Sequence, residues 1–385
     1  MDQEPPFGET YKTLLHNSSL GEPKDENPLI VEECDLPLID LSQLNAERDK
    51  CIKQITQAAR EWGFFQVVNH GISQKVLKIL KDEQTKVFHL PFQKKIEDNF
   101  LNLSANSYRW GNSKATFLRH VPWSEALHLS LADISRMDEC KSTLRPSTQG
   151  VGEGVIFATN AHRWRGAPPP SLLLGGATHH CPLPVGLPVY PSIGGMRSTI
   201  EAFVTVAASL AQSLAEILSQ ILGIKSTYFQ ENCPPNTSYL RLNRYPPCPF
   251  PSKAFGLMPH TDSSFLTILY QDHVGGLQLM KDGKWFRVKP NPQALVINIG
   301  DLFQALSNDV FKSIKHRVVS SEEVERFSVA YFYCPSSDAV IQSCCSTKRL
   351  LPAVYKHFSF REYQQQVRKD VEATGDKVGL TRFLL

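Results

Sequence analysis

The apolar positions of this chain change their period partway along it, and the change separates a helical part from a β part. Up to residue 222 the long regular stretches repeat at steps of three and four. Residues 52–60 and 76–92 each carry one apolar face, the second stopped by Pro91. The clearest stretch is 197–222, where Ile200, Phe203, Val204, Ala207, Leu210 and Ala211 share a face that runs on to Ile221. Ser198 and Glu201 have the spacing of a capping box at its start, and Gly223 ends it. Such a helix is expected to serve as scaffold, packed on a sheet. Two short strands interrupt this part, at 36–41 and at 64–68. The second follows a helix end at Gly63 and leaves through an Asn69-His70-Gly71 turn.

From Thr237 the period is two. Tyr239, Arg241, Asn243 and Tyr245 alternate with Leu240, Leu242 and Arg244 until Pro246-Pro247 stops the run. Further strands are expected at 265–270, 277–280, 285–288, 294–299, 316–319 and 327–333, with Lys281-Asp282-Gly283-Lys284 forming a tight hairpin. Short strands separated by Gly, Pro and Asp turns indicate a sandwich or jelly roll. The expected class is α+β: a helical cap, one long supporting helix, then an antiparallel jelly-roll core.

Composition adds limits. With 385 residues, 42% hydrophobic and 21% charged, the chain can bury a sizeable core. Its 41 basic and 38 acidic residues nearly cancel, which argues against nucleic acid or an anionic membrane as partner. The first thirty residues carry six acidic side chains and no apolar run, unlike a secretory signal, and no stretch reads as the roughly 18 apolar residues of a membrane span. Nine scattered cysteines without a CxxC pair suggest reduced thiols and a cytoplasmic protein.

The 26 Pro and 22 Gly are unevenly spread, for residues 146–196 hold 8 and 9 of them. That stretch has three charged residues (Glu153, Arg163, Arg165) and no sustained period, so it is expected to be a disordered insertion. Translation of a retained intron would account for it, and a lid or partner-binding loop is the functional alternative. His179-His180-Cys181 lacks a second ligand pair, and no strand feeds the glycines at 150–154, so neither a zinc site nor a nucleotide loop is expected there. The organisation is therefore a polar tail over 1–30, a cap over 31–145, the insertion, and the long helix, β core and C-terminal helix over 197–385.

The chemistry-bearing residues lie in the β core. His260 and Asp262 flank Thr261, and on an extended strand residues two apart point the same way. His316 opens a later strand between Lys315 and Arg317, an awkward place for a histidine with only a packing role. Two imidazoles and a carboxylate on a β scaffold suit a non-haem Fe(II) site that leaves three coordination positions open. A 2-oxo acid can take two of these and dioxygen the third. Arg326 and Ser328 share one face of the last strand and offer a fork and a hydroxyl to the acid's far carboxylate, with Tyr245 and Asn243 completing that pocket.

In these residues the sequence resembles the plant 2-oxoglutarate- and Fe(II)-dependent dioxygenases. The likeness rests on Trp62-Gly63-Phe64-Phe65, Asn69-His70-Gly71, the 241–248 block, His260-Thr261-Asp262, His316-Arg317 and Arg326-Phe327-Ser328. It implies a distorted double-stranded β-helix, iron on His260, Asp262 and His316, and 2-oxoglutarate on Arg326, Ser328, Asn243 and Tyr245, with ascorbate as reductant. Ser107-Tyr108-Arg109-Trp110-Gly111, the 122–128 block and the 358–363 block are similar to gibberellin 2-oxidases, the class acting on twenty-carbon gibberellins. That implies hydroxylation at carbon 2 of a small-molecule hormone, inactivating it, while 2-oxoglutarate becomes succinate. The oligomeric state stays open, and His70, His120, His128 and His273 have no chemical role in this reading. The alternatives are the same chemistry on a flavonoid or alkaloid precursor, or a non-catalytic variant disabled by the insertion.

Overall fold

The change of period at residue 237 marks the main strands of two sheets in the computed structural model, which describes residues 3–21, 31–137, 193–225, 227–251, 254–344 and 352–385. The N-terminal part supplies β1 (Glu32–Cys34), β2 (Leu38–Asp40), β3 (Phe64–Val68), β4 (Tyr108–Trp110) and β5 (Glu125–Ser130). The core adds β6 (Tyr239–Tyr245), β7 (Leu257–His260), β8 (Leu266–Gln271) and β9 (Leu277–Lys281). It continues with β10 (Lys284–Val288), β11 (Leu295–Ile299), β12 (His316–Val318) and β13 (Arg326–Tyr333). One sheet has the order β2-β3-β11-β8-β13-β6-β5-β4, the other β1-β10-β9-β12-β7. Helices and mixed sheets together give the α+β class expected.

Local sequence explains the turns. Asp282 and Gly283 both take positive φ (50° and 78°), as a two-residue turn matching the twist of β9 and β10 requires. Gly63 (φ +61°) ends the helix Arg48–Glu61, and a Cβ there would lie 2.3 Å from the Lys312 carbonyl oxygen. The helix Gln74–Phe88 is capped by the Ser73 hydroxyl and stops four residues short of the expected 92. The cause is Pro91, which disfavours helical geometry at Leu90 before it.

The long helix runs Ile193–Leu222, starting ahead of the expected 197. Met196 is buried, which draws the last residues assigned to the insertion into the helix. Ser198 is therefore inside the helix, its hydroxyl donating back to the Gly195 carbonyl, and Glu201 pairs with Arg197 at 2.8 Å instead of closing a capping box. The helix packs on β8, β13 and the helix Gln74–Phe88. Its segment Gly195–Leu222 is long and apolar enough to cross a membrane by length and composition, contrary to the sequence reading, and half of its 18-residue apolar window is buried.

Part of the polar tail expected over 1–30 is ordered against the fold. Phe7–Thr10 and Lys12–Gly21 are helical, and Phe7 and Tyr11 are each 3% exposed. Phe7 stacks on Trp123 (centroids 4.5 Å apart) and meets Trp110 edge-on, while Glu4 pairs with Arg244 at 2.9 Å. Two apolar anchors among many charges suffice to dock an arm that composition alone marks as tail. The C-terminal helix Phe360–Thr374 carries a true capping box, Ser359 with Glu362. Residues 146–192 of the expected insertion, with His179, His180 and Cys181, lie outside the described residues, as does the whole second unit, Lys141–Pro191.

Candidate active site

His260 ends β7 and His316 opens β12, and the two are directly paired across the antiparallel ladder. Their rings sit 4.3 Å apart by centroid. Asp262 lies just past the end of β7 rather than on the strand, yet its Oδ1 stands 3.5 Å from His260 Nε2 and 3.7 Å from His316 Nε2. The three donor atoms lie within 4.8 Å of one another, and no other such group of His, Cys, Asp or Glu occurs among the described residues.

Surrounding contacts aim these atoms. His260 Nδ1 lies 2.7 Å from the Met258 carbonyl and His316 Nδ1 3.0 Å from that of Ile314, so each Nδ1–H is used on the backbone and each Nε2 lone pair is left for an ion. Asp262 Oδ2 accepts from Thr267 Oγ1 at 2.6 Å and Asn298 Nδ2 at 2.8 Å, which turns Oδ1 inward. Burial would raise the Asp262 carboxyl, but His316, His260 and Thr267 outweigh it and hold it well below the usual carboxylate range. Burial, then the neighbouring His260, lowers His316 to about 4, keeping its imidazole neutral. Two imidazoles that turn Nε2 inward and one carboxylate make a donor set that fits a divalent first-row metal.

The other sheet carries the second half of the site. Arg326 faces Tyr245, and Ser328 faces Asn243 and Gln271, across the ladders of β13. All four sequence-assigned residues therefore meet. Arg326 is 1% exposed; its guanidinium lies 4.8 Å from the Tyr245 ring centroid and donates to Gln271 Oε1 at 2.8 Å. Asn243 Nδ2 donates to Ser328 Oγ at 3.3 Å. Three buried polar atoms have no partner: Arg326 Nε, Gln271 Nε2 and Asn243 Oδ1. Two are donors, one on the buried guanidinium itself and one on the amide beside it, the complement of a carboxylate, so the residues present fit the far end of a 2-oxo dicarboxylic acid.

Triad and cradle line one cavity of about 230 Å³. Sequence reasoning missed several of its supports. Gln271 and Gln84 give no pattern signal, yet Gln84 Nε2 donates to the Asn243 and Ser328 carbonyls at 2.9 and 3.0 Å and ties the two strands together. Lys377, beyond the C-terminal helix, lines the cavity and donates to Thr261 O and Ser263 Oγ, each at 2.8 Å. His128, read as having no chemical role, faces the cavity as well. His70 is a packing residue, accepting from Ile72 N at 3.2 Å, and His273 is exposed.

Comparison with known proteins agrees with this geometry. Residues 236–335 match the 2OG-Fe(II) oxygenase superfamily, and residues 36–146 match the non-haem dioxygenase in morphine synthesis N-terminal family. Gibberellin 2-beta-dioxygenase 8 of Arabidopsis thaliana is 47% identical over 393 residues, covering 99% of this chain and 98% of the relative. Gibberellin 2-beta-dioxygenase 7 of the same plant is 38% identical over the full length of both. The crystal structure of JOX2 in complex with 2OG, Fe and JA superposes with a TM-score of 0.64 at 30% identity, covering 92% of each chain. This chain is a member of the 2-oxoglutarate- and Fe(II)-dependent dioxygenases, on the branch its gibberellin 2-beta-dioxygenase relatives occupy.

Proposed function

We propose that the protein hydroxylates gibberellins at the 2β position, with twenty-carbon gibberellins as its substrates and hormone inactivation as the outcome. Fe(II), 2-oxoglutarate and dioxygen take part, with ascorbate as reductant. The observation that carries this reading is the opposition, across one cavity, of the His260–Asp262–His316 cluster and a buried Arg326 whose Nε lacks a partner. We assign the first to the iron and the second, with Ser328, Asn243 and Tyr245, to the distal carboxylate of 2-oxoglutarate.

Fe(II) bound at the triad supplies the coupling of 2-oxoglutarate decarboxylation to C–H hydroxylation. The protein's own part is placement. Arg326 gives the co-substrate one orientation, Gln271 and Ser328 fix the guanidinium, and Thr267 and Asn298 keep Asp262 turned toward the metal. Phe64, packed 5.2 Å from the His316 ring, and Leu277 keep that wall apolar and exclude water. The six described cysteines are all free thiols, in keeping with a cytoplasmic enzyme. We assign the catalytic unit to the cap over 31–145 and the long helix, β core and C-terminal helix over 197–385.

The test is incubation of the full chain, and of a form lacking residues 146–192, with Fe(II), 2-oxoglutarate, ascorbate and nineteen- and twenty-carbon gibberellins. The expected result is a 2β-hydroxylated product with one succinate per turnover. No gibberellin product from either form would overturn the reading.

A further inference from the structure

β6 carries two arginines on opposite faces, three residues apart, and they are treated differently. Arg244 faces away from the cavity and is saturated: it pairs with Glu125 at 2.6 Å, Glu325 at 2.8 Å and Glu4 at 2.9 Å. Arg241 faces into the cavity, is half-buried, and makes no hydrogen bond or ion pair among the described residues. A guanidinium held partly out of water without an acceptor is unfavourable unless something that binds there completes it.

Its surroundings define that ligand. Along the cavity face of β6, Tyr245 and Asn243 are engaged by Arg326 and Ser328 on β13. The next positions, Arg241 and Tyr239, face Ala330 and Phe332 on the same strand, and Arg241 faces His128 on β5. Ala330 leaves room in front of the guanidinium. His128 stacks on Tyr239 at 4.4 Å and 24°, and Tyr239 stacks on Phe332 at 4.6 Å and 13°, giving a continuous three-ring wall across three strands. Burial, then Arg109 and Arg241, lowers His128 to about 4, so the wall is uncharged and Arg241 is its cation. Arg241 is four strand residues from Tyr245, about 13 Å at the rise of a β-strand, so an anion there does not compete with the cradle at Arg326.

We propose that Arg241 anchors the carboxylate of the organic substrate, a polycyclic apolar acid whose ring system lies against the His128–Tyr239–Phe332 wall. This rests on the gibberellin reading and adds to it a reason for selecting acids. The cavity then holds two carboxylates at two separate arginines, the co-substrate at Arg326 and the substrate at Arg241.

The test is calorimetric titration of the full chain, loaded with Mn(II) and 2-oxoglutarate, with GA12 (a twenty-carbon gibberellin acid) and with its dimethyl ester. Wild type should bind the acid at least about tenfold more tightly than the ester, the worth of one charge-assisted contact. Arg241→Gln should abolish the difference while leaving ester affinity and 2-oxoglutarate affinity within about threefold, and Arg241→Lys should restore part of it. His128→Ala should weaken acid and ester alike. An acid preference that survives in Arg241→Gln overturns the proposal, as does a loss of 2-oxoglutarate binding in that variant. If wild type binds neither gibberellin form, the gibberellin reading fails on its own. Abietic acid, another polycyclic acid, then decides the subsite: binding by wild type but not by Arg241→Gln upholds it, and no binding by wild type overturns it.

Discussion

Arg326→Met should move stability and co-substrate binding in opposite directions. In the structure Arg326 is 1% exposed and its guanidinium meets, among the described residues, neutral groups: Gln271 Oε1 at 2.8 Å, Ser328 Oγ at 3.4 Å and the Tyr245 ring at 4.8 Å. Burying a cation without a counterion costs several kcal/mol, of which the ring returns about 0.5–2. Methionine fills a similar length without charge but leaves Gln271 Oε1 unpaired, a penalty of about 1–3 kcal/mol. The net is a gain of about 1 kcal/mol for the ligand-free protein, an upward shift of roughly 1–3 °C in a chain of this size. Binding behaves oppositely. Two charge-assisted hydrogen bonds to the 2-oxoglutarate carboxylate, at about 1.5–3 kcal/mol each, amount to a loss of roughly 10²–10⁴ in affinity.

Thermal unfolding with Mn(II), with and without 2-oxoglutarate, reads both effects. At a hundred times its wild-type Kd the ligand stabilises wild type by about 2.7 kcal/mol, a shift of roughly 3–8 °C. The variant should start higher and show no shift. A ligand-free midpoint lowered by more than about 5 °C would mean that the fold itself neutralises the guanidinium. A surviving 2-oxoglutarate shift would remove Arg326 from the cradle.

Thr267→Val and Asn298→Ala each remove a donor to Asp262 Oδ2 and should weaken metal affinity about 10–100-fold, read by Co(II) titration, with little change in 2-oxoglutarate affinity once the metal saturates. Phe7→Ala should lower stability by about 3 kcal/mol and expose the N-terminal arm to proteolysis, because the ring is buried between Trp123 and Trp110; an unchanged unfolding midpoint would refute the docked arm. His128 gives a pH signature. Its folded value, about 4, lies below the ordinary 6.5, so the unfolded chain binds the proton first and stability falls as pH drops from about 6.5 to 4, by up to about 3 kcal/mol. His128→Phe should lessen the slope there by that amount, with His316 keeping its own share, and an unchanged slope would contradict the burial of His128 as a neutral ring.

Much of the fold was legible because period and turn chemistry agree. The alternation at 239–245 and the Asp282-Gly283 turn each admit one strand geometry, and both appear within a residue of expectation. The His260–Asp262–His316 cluster was legible from local sequence as well: a histidine set between Lys315 and Arg317 is anomalous as core. What escaped has no local signature. Gln84 acts 159 residues from Asn243, Gln271 looks like any strand-end glutamine, and Lys377 reaches the residues flanking Asp262 from 114 to 116 positions away, while also pairing with Asp301 at 2.8 Å. The docked arm escaped because two aromatic anchors disappear in the average of an acidic segment. The place of His128 on the cavity wall is not legible in the sequence, because Arg241 is its neighbour only across strands.

Register, more than residue choice, assembles this site. His260 meets His316 because β7 and β12 pair at that residue, and Arg326 meets Tyr245 because β13 and β6 do. A one-residue slip of β13 would turn Arg326 and Ser328 outward and bring Phe327 into the cavity. Phe327 resists this from the other face: it is 4% exposed, packs within 6.5 Å of Phe88 and His89, and its backbone N–H donates to Asp272 Oδ2 at 2.7 Å. The apolar residue between the two functional ones is thus what fixes their direction. The same logic places Arg241 and Arg244: three residues apart on one strand, they must face opposite ways, so one closes an ion-pair network outside and the other stands ready for an acid within.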